Sequence, residues 1–211
     1  MASAEFTDTA LGYIQRVASE RLVSKAILEN TDEVFFEYIN WANPTNKAMQ
    51  RGVDMELPAK VELEMLLKHQ IKDLPSIVCE ECPSFSCSPD GIINGKVCVE
   101  IKCPSQETHA KYGTMKSSDD LKKVNSDYYY QCQSEMLVTK TSKLIFCSYC
   151  PECENPLYVI MIDADEEVQN AILEKVKKAD AEVEKILAAQ KENADNIANI
   201  KETIDELCKA G

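Results

Sequence analysis

No stretch of this 211-residue sequence is apolar for long enough to cross a bilayer, and its opening residues, MASAEFTDTALGYIQ, lack the basic and apolar portions of a secretion signal. A soluble, cytoplasmic protein is expected, with no membrane partner. In that setting the ten cysteines read as free thiols or metal ligands rather than disulfides. Positive charge is also scarce. A formal net charge of -13 excludes a broad basic surface of the kind that coats nucleic acid, so any DNA contact has to be local. Residues 163–211 hold 13 acidic and 7 basic side chains, which places -6 of the total there. Carboxylates gathered to hold divalent cations would account for part of the remainder.

What is present is an ordinary globular balance, 45% hydrophobic and 28% charged residues. The length suits one core domain with an appendage, which we divide as 1–163 and 164–211. From Thr9 to Leu28 apolar residues recur at helical spacing, and Asn30 is a candidate helix end. A second helix is expected from about Thr45 to His69, with Met49, Val53, Leu57, Val61 and Met65 as its apolar stripe. Pro58 falls inside it and predicts a kink or two abutting helices. Residues Ser76 to Ile101 read as short strands joined by tight turns, and Asn94-Gly95 is a strong hairpin signal. A helix near Asp127 to Val138 and strands at Lys143 to Tyr149 and Leu157 to Ile162 complete an α/β pattern. The tail carries a heptad register, with Val176, Val183, Gln190, Ile197 and Ile204 at one position and Ala179, Ile186, Asn193, Ile200 and Leu207 at the other. Either a coiled coil or a helix or hairpin folded back on the domain fits it, with Gln190 and Asn193 marking where a bend would fall.

The chemistry concentrates in Ser88-Pro89-Asp90-Gly91 and Val97-Cys98-Val99-Glu100-Ile101-Lys102. Strand alternation puts Glu100 and Lys102 on one face. Phosphodiester hydrolysis uses a cation to polarise phosphate and acidify water, and Mg²⁺ is typically held by one or two carboxylates with waters. Asp90 and Glu100 supply carboxylates, and Lys102 supplies a group to orient or deprotonate water or to stabilise charge on phosphorus. One obstacle is register. A strict two-residue turn at Asn94-Gly95 pairs Asp90 with Val99 and aims it at the wrong face, so a bulge at Gly91 is expected to repair it.

The string CSPDGIINGKVCVEIKCPS followed by YYYQCQSEMLVT, together with Gly52 and Glu56 on the earlier helix, resembles the YqaJ-like viral recombinase family, which includes phage exonucleases of the lambda type. The resemblance runs from about Tyr13 to Ile162. It implies an α/β PD-(D/E)XK, restriction-endonuclease-like core with a central mixed sheet flanked by helices, followed by a long C-terminal helical segment. It also implies Asp90, Glu100 and the Ile101 backbone carbonyl as Mg²⁺ ligands, with Mn²⁺ able to substitute. Lys102 would be the catalytic lysine, and Glu56 a contributor from its helix to a second metal or the water. Gln133 would be the active-site member of the Gln131-x-Gln133 pair. On a helix those two point about 200° apart, so only one can face the site. Ser88, Ser105, Gln131, Tyr128 and His109 are candidate contacts to DNA or phosphate.

The function implied is a 5′-to-3′ double-strand DNA exonuclease of a phage or prophage recombination system in a bacterial cell. It would act on duplex ends, with a single-strand annealing recombinase as partner and a homo-oligomer, a trimer by resemblance, as its form. Other PD-(D/E)XK nucleases, endonuclease or iron-sulfur CRISPR-associated, and an inactive DNA-binding or assembly protein are the alternatives. The N-terminal Thr-Ala-Ser segment of many relatives is represented only by Arg16-Val17-Ala18-Ser19. Cys79-x-x-Cys82 and Cys147-x-x-Cys150-x-x-Cys153 have spacings that suit a structural zinc or iron-sulfur cluster, with Cys79, Cys82, Cys150 and Cys153 as its candidate ligands and reduced thiols as the simpler reading.

Overall fold

The strand that carries Glu100 is buried on both faces. In the computed structural model, which describes residues 6–29, 33–42 and 46–209, this strand is β4, Val97–Lys102. Its Val97, Val99 and Ile101 face one core, with Ala59 and Leu63, while Cys98 faces another, with Tyr129, Cys132 and Met136. The predicted alternation therefore holds. A strand covered on both sides needs helices above and below, and the sequence supplies them.

The sheet has the order β3-β4-β5-β6, with β3 at Gly91–Ile93, β5 at Lys143–Tyr149 and β6 at Leu157–Asp163. Only the β4–β5 pair is parallel, so the sheet is mixed. Parallel neighbours require a crossover. Here it runs through α5 (Gln106–Tyr112), α6 (Ser118–Val124) and α7 (Ser126–Thr139). A separate two-stranded ribbon, β1 (Ile77–Cys79) with β2 (Cys82–Cys87), precedes it.

On the opposite face lies α4, Lys47–Leu67, capped by Asn46 and unbroken through Pro58. Thr45, the predicted start, lies outside the described residues. The predicted stripe is not the buried one. Met49, Val53, Leu57, Val61 and Met65 are exposed, and Ala59 and Leu63 are fully buried instead, with Met55 and Leu67 packed beside them. The two lines share fourfold spacing and differ only in angular position on the helix. The small Ala59 lets the backbone approach the sheet.

Contacts group residues 43–174 as one unit and residues 1–42 with 175–211 as another. In the latter, the predicted first helix is divided into α1 (Asp8–Arg21) and α2 (Lys25–Leu28), because Ser24 takes an extended backbone at the N-cap of α2. Asn30 lies outside the described residues. Helix α3, Glu33–Ala42, was not anticipated. The C-terminal α8, Glu166–Lys209, is one continuous helix without a turn back at Gln190 or Asn193. Its Ala179, Val183 and Ile186 pack on Ile14 and Ala18 of α1, and Arg21 bridges Asp180 at 2.9 Å and Glu184 at 2.7 Å. Among the described residues no helix is long and apolar enough to cross a membrane.

Candidate active site

The register obstacle is resolved at the turn and not at Gly91. Ile93 pairs with Val97 and Gly91 with Val99, so the hairpin loop has three residues, Asn94 to Lys96. Asn94 and Gly95 adopt φ of 51° and 69°, and Lys96 N–H donates to the Ile93 carbonyl at 3.0 Å. One more step along that register sets Asp90 opposite Glu100. The Asp90 carboxylate accepts the Ile101 backbone N–H at 2.5 Å, which ties it to the strand bearing the other two groups. Gly91 has a different duty. A Cβ there would lie 2.3 Å from Ile71 Cγ2 and 3.0 Å from the Lys72 carbonyl oxygen, so glycine admits the chain segment that bridges β3 at Ile92.

Glu100 is 2% exposed and forms a close ion pair with Lys102. Gln131 of α7 joins them. Its Nε2 donates to Glu100 Oε1 at 2.7 Å, and its Oε1 accepts from Lys102 Nζ at 3.2 Å. Tyr128, one helical turn earlier, lies beneath the lysine with its ring centroid 4.5 Å from Nζ. Burial pulls the lysine toward neutrality, but Glu100 outweighs it and Lys102 is held above its ordinary range. Lys102 is therefore a cation here, suited to stabilise negative charge rather than to remove a proton.

Asp90 is pushed up to about 7, first by burial and then by the charge of Glu100, with Glu56 adding to it and Ile101 N–H and Lys102 opposing. Glu56 thus stands close enough for its charge to reach the cluster, although its side chain is 45% exposed and also neighbours Lys60 at 3.7 Å. Two carboxylate oxygens, Glu100 Oε2 and Glu135 Oε2, are buried and have no hydrogen-bond partner. A bare buried carboxylate oxygen is costly, and at Glu100, whose charge reaches Asp90, a cation is the chemistry that offsets it. Among the described residues no three His, Cys, Asp or Glu side chains form a ready-made metal cage.

The other predicted residues divide sharply. Gln133 is displaced from the role expected of it. It is fully buried, donates to the Asp163 carbonyl at 2.9 Å and accepts the Asp165 N–H at 2.9 Å, so it ties α7 to the end of β6. Gln131 is the member that faces the carboxylates, because its flank of α7 meets β4, while the flank of Gln133 meets the end of β6. His109 is not at the surface. It is 1% exposed, with Nδ1 2.8 Å from Ser148 Oγ, Nε2 2.9 Å from the Asn155 carbonyl oxygen, and its ring stacked on Tyr158 at 4.4 Å. His109→Ala is expected to cost about 3 kcal/mol of stability from lost packing and hydrogen bonds, measured by urea unfolding. Weaker DNA binding at unchanged stability would instead restore it as a contact residue.

Ser88 is exposed on the approach to Asp90, and Ser105 caps α5 by accepting the Thr108 N–H at 3.5 Å. Tyr128 packs against Phe146 and Tyr112 and supports Lys102, a different role from the DNA contact expected of it. Cys79 and Cys82 face one another in the β1–β2 ladder. Cys150 lies past β5 with its Sγ 3.1 Å from Glu152 Oε2 and 3.9 Å from Arg51, in a turn closed by the Cys153 N–H on the Cys150 carbonyl. The residue that sequence reasoning missed is Glu135, which is 2% exposed and accepts from Gln131 at 2.9 Å. The spacing of four from Gln131 was the available signal.

The family model of the YqaJ-like viral recombinase domain matches residues 8–142. Among solved structures, an alkaline exonuclease from Laribacter hongkongensis is similar at 22% identity and a TM-score of 0.64, over 82% of this chain and 91% of that one. The same enzyme in complex with dAMP gives 22% identity and a TM-score of 0.65, over 87% and 93%. A phage-related exonuclease from Haemophilus somnus 129PT is similar at 16% identity and a TM-score of 0.63, over 90% of each chain. No curated protein matches by sequence. At these identities the likeness establishes the fold, an α/β core with a mixed sheet.

Proposed function

The chain belongs to the YqaJ-like viral recombinase domain family, and from that premise we propose that it is a divalent-metal-dependent DNA exonuclease that acts on duplex ends in the 5′-to-3′ direction. The observation that carries this reading is the juxtaposition of Asp90, Glu100, Lys102 and Gln131, with Glu100 Oε2 buried and without a hydrogen-bond partner. Asp90 and Glu100 would hold the cation, with Glu56 and the Ile101 carbonyl as further candidates. Bound there, Mg²⁺ would polarise the scissile phosphate and lower the pKa of the attacking water. Lys102, fixed by Glu100 and Gln131, presents a positive charge where negative charge grows on the phosphoryl oxygens. Gln131 contributes orientation, because its amide joins the lysine to the carboxylate and leaves neither free to rotate.

The test uses linear duplex and closed circular DNA with Mg²⁺. Linear DNA is expected to shorten progressively while circles survive, and a label at the 5′ end should be released before one at the 3′ end. Nicked circles would replace the exonuclease reading by an endonuclease. Hydrolysis that persists in excess EDTA would overturn the metal mechanism.

A further inference from the structure

Glu135 has no place in the chemistry described so far, yet it sits where an idle carboxyl is expensive. It lies on α7 with its neighbours Cys132 and Met136 in the core, is 2% exposed, and forms no ion pair among the described residues. Burying such a group without a return costs several kcal/mol on the order of magnitude found for lone polar groups. Its contacts identify the return. One helical turn separates it from Gln131, whose Nε2 reaches both Glu135 Oε1 at 2.9 Å and Glu100 Oε1 at 2.7 Å. The opposite end of the same amide accepts from Lys102 at 3.2 Å.

We propose that Glu135 is a positioning residue of the candidate active site, which fixes the Gln131 amide with its NH₂ toward Glu100 and its oxygen toward Lys102. An amide has two nearly isosteric flips. With Glu135 in place both N–H groups have carboxyl acceptors, and the reverse flip would aim the carbonyl oxygen at two acceptors and the NH₂ at an ammonium. Glu135 thereby discriminates between the flips without touching substrate. What the arrangement needs at position 135 is an oxygen acceptor for the Gln131 amide, a part that glutamine can also play. The inference rests on the nuclease reading, but its test includes a readout that does not.

The experiment compares wild type, Glu135→Gln and Glu135→Met in the full chain, with Mn²⁺ alone as probe, followed by electron paramagnetic resonance, and with kcat and KM on linear duplex DNA. Glu135→Gln should remain within about twofold of wild type in each. Glu135→Met keeps the volume but removes the acceptor, and should weaken Mn²⁺ binding and lower kcat about tenfold, the lower end of losses for groups that orient metal ligands, with KM nearly unchanged. Because the effect passes through Gln131, the Glu135→Met/Gln131→Met double variant should be no worse than Gln131→Met alone.

Glu135→Met behaving as wild type would overturn the proposal. So would Glu135→Gln as damaging as Glu135→Met, which would make the carboxylate charge itself a ligand, or full additivity in the double variant. If Glu135→Met does not fold in thermal unfolding, Glu135→Ser takes its place with the same expected and overturning results. Should wild type fail to cut DNA, the nuclease reading falls, while the Mn²⁺ comparison still decides whether Glu135 orders the carboxylate site.

Discussion

Replacing Lys102 with methionine is expected to slow hydrolysis of linear duplex DNA by about 10²- to 10³-fold, the loss typical of removing one preorganised donor to a developing oxyanion. The same substitution should tighten Mg²⁺ binding. Lys102 is a cation paired with Glu100, and it competes for the carboxylates that the metal needs. Methionine keeps most of the volume over Tyr128 and removes the charge. Glu100→Gln should behave differently, since it takes a ligand and the anchor of Lys102 together, and both Mg²⁺ affinity and turnover should fall. Single-turnover hydrolysis with calorimetric titration of Mg²⁺ separates the two patterns. Unaltered turnover in the Lys102 variant would remove the lysine from the chemistry.

The second large effect is on pH. Asp90 is held up to about 7 by burial and by Glu100, against an ordinary value of 3.8. The folded chain therefore keeps a proton that the unfolded chain has already lost between those values. Without metal, stability should fall as pH rises through that window, because the native state binds more protons there. Glu135, held up to about 9, continues the same slope above it. Mg²⁺ reverses the sign, since it binds the deprotonated carboxylate. Its affinity is expected to weaken by about tenfold per unit of pH below about 7, one proton being displaced per cation. Thermal midpoints in EDTA and in Mg²⁺ at several pH values give both slopes. A metal-induced shift that does not change with pH would exclude Asp90 as a ligand.

Asp90, Glu100 and Lys102 were legible from local pattern. Alternation in β4 assigned Glu100 and Lys102 to one face, and strand spacing located β5 and β6 within a residue of their ends. The turn was less legible. Asn94-Gly95 identified the hairpin, but its length decides which face Asp90 takes, and the additional residue, Lys96, appears only in the pairing of Ile93 with Val97. On α4, two apolar lines of equal spacing compete, and packing against the sheet selected the one through Ala59 and Leu63.

The sequence by itself determined the residue types of the site, the alternation that puts two of them together and the acidic character that confines any DNA contact to a local surface. Those are properties of short segments with fixed periods. Only the tertiary structure decided that Gln131 and not Gln133 meets Glu100, that His109 is buried, and that Glu135 joins the cluster. Helix neighbours two residues apart point in nearly opposite directions, so the choice between the glutamines depends on which flank of α7 meets β4 and which meets the end of β6. No local period carries that information; it comes from residues about 30 positions away along the chain, brought there by the crossover between β4 and β5.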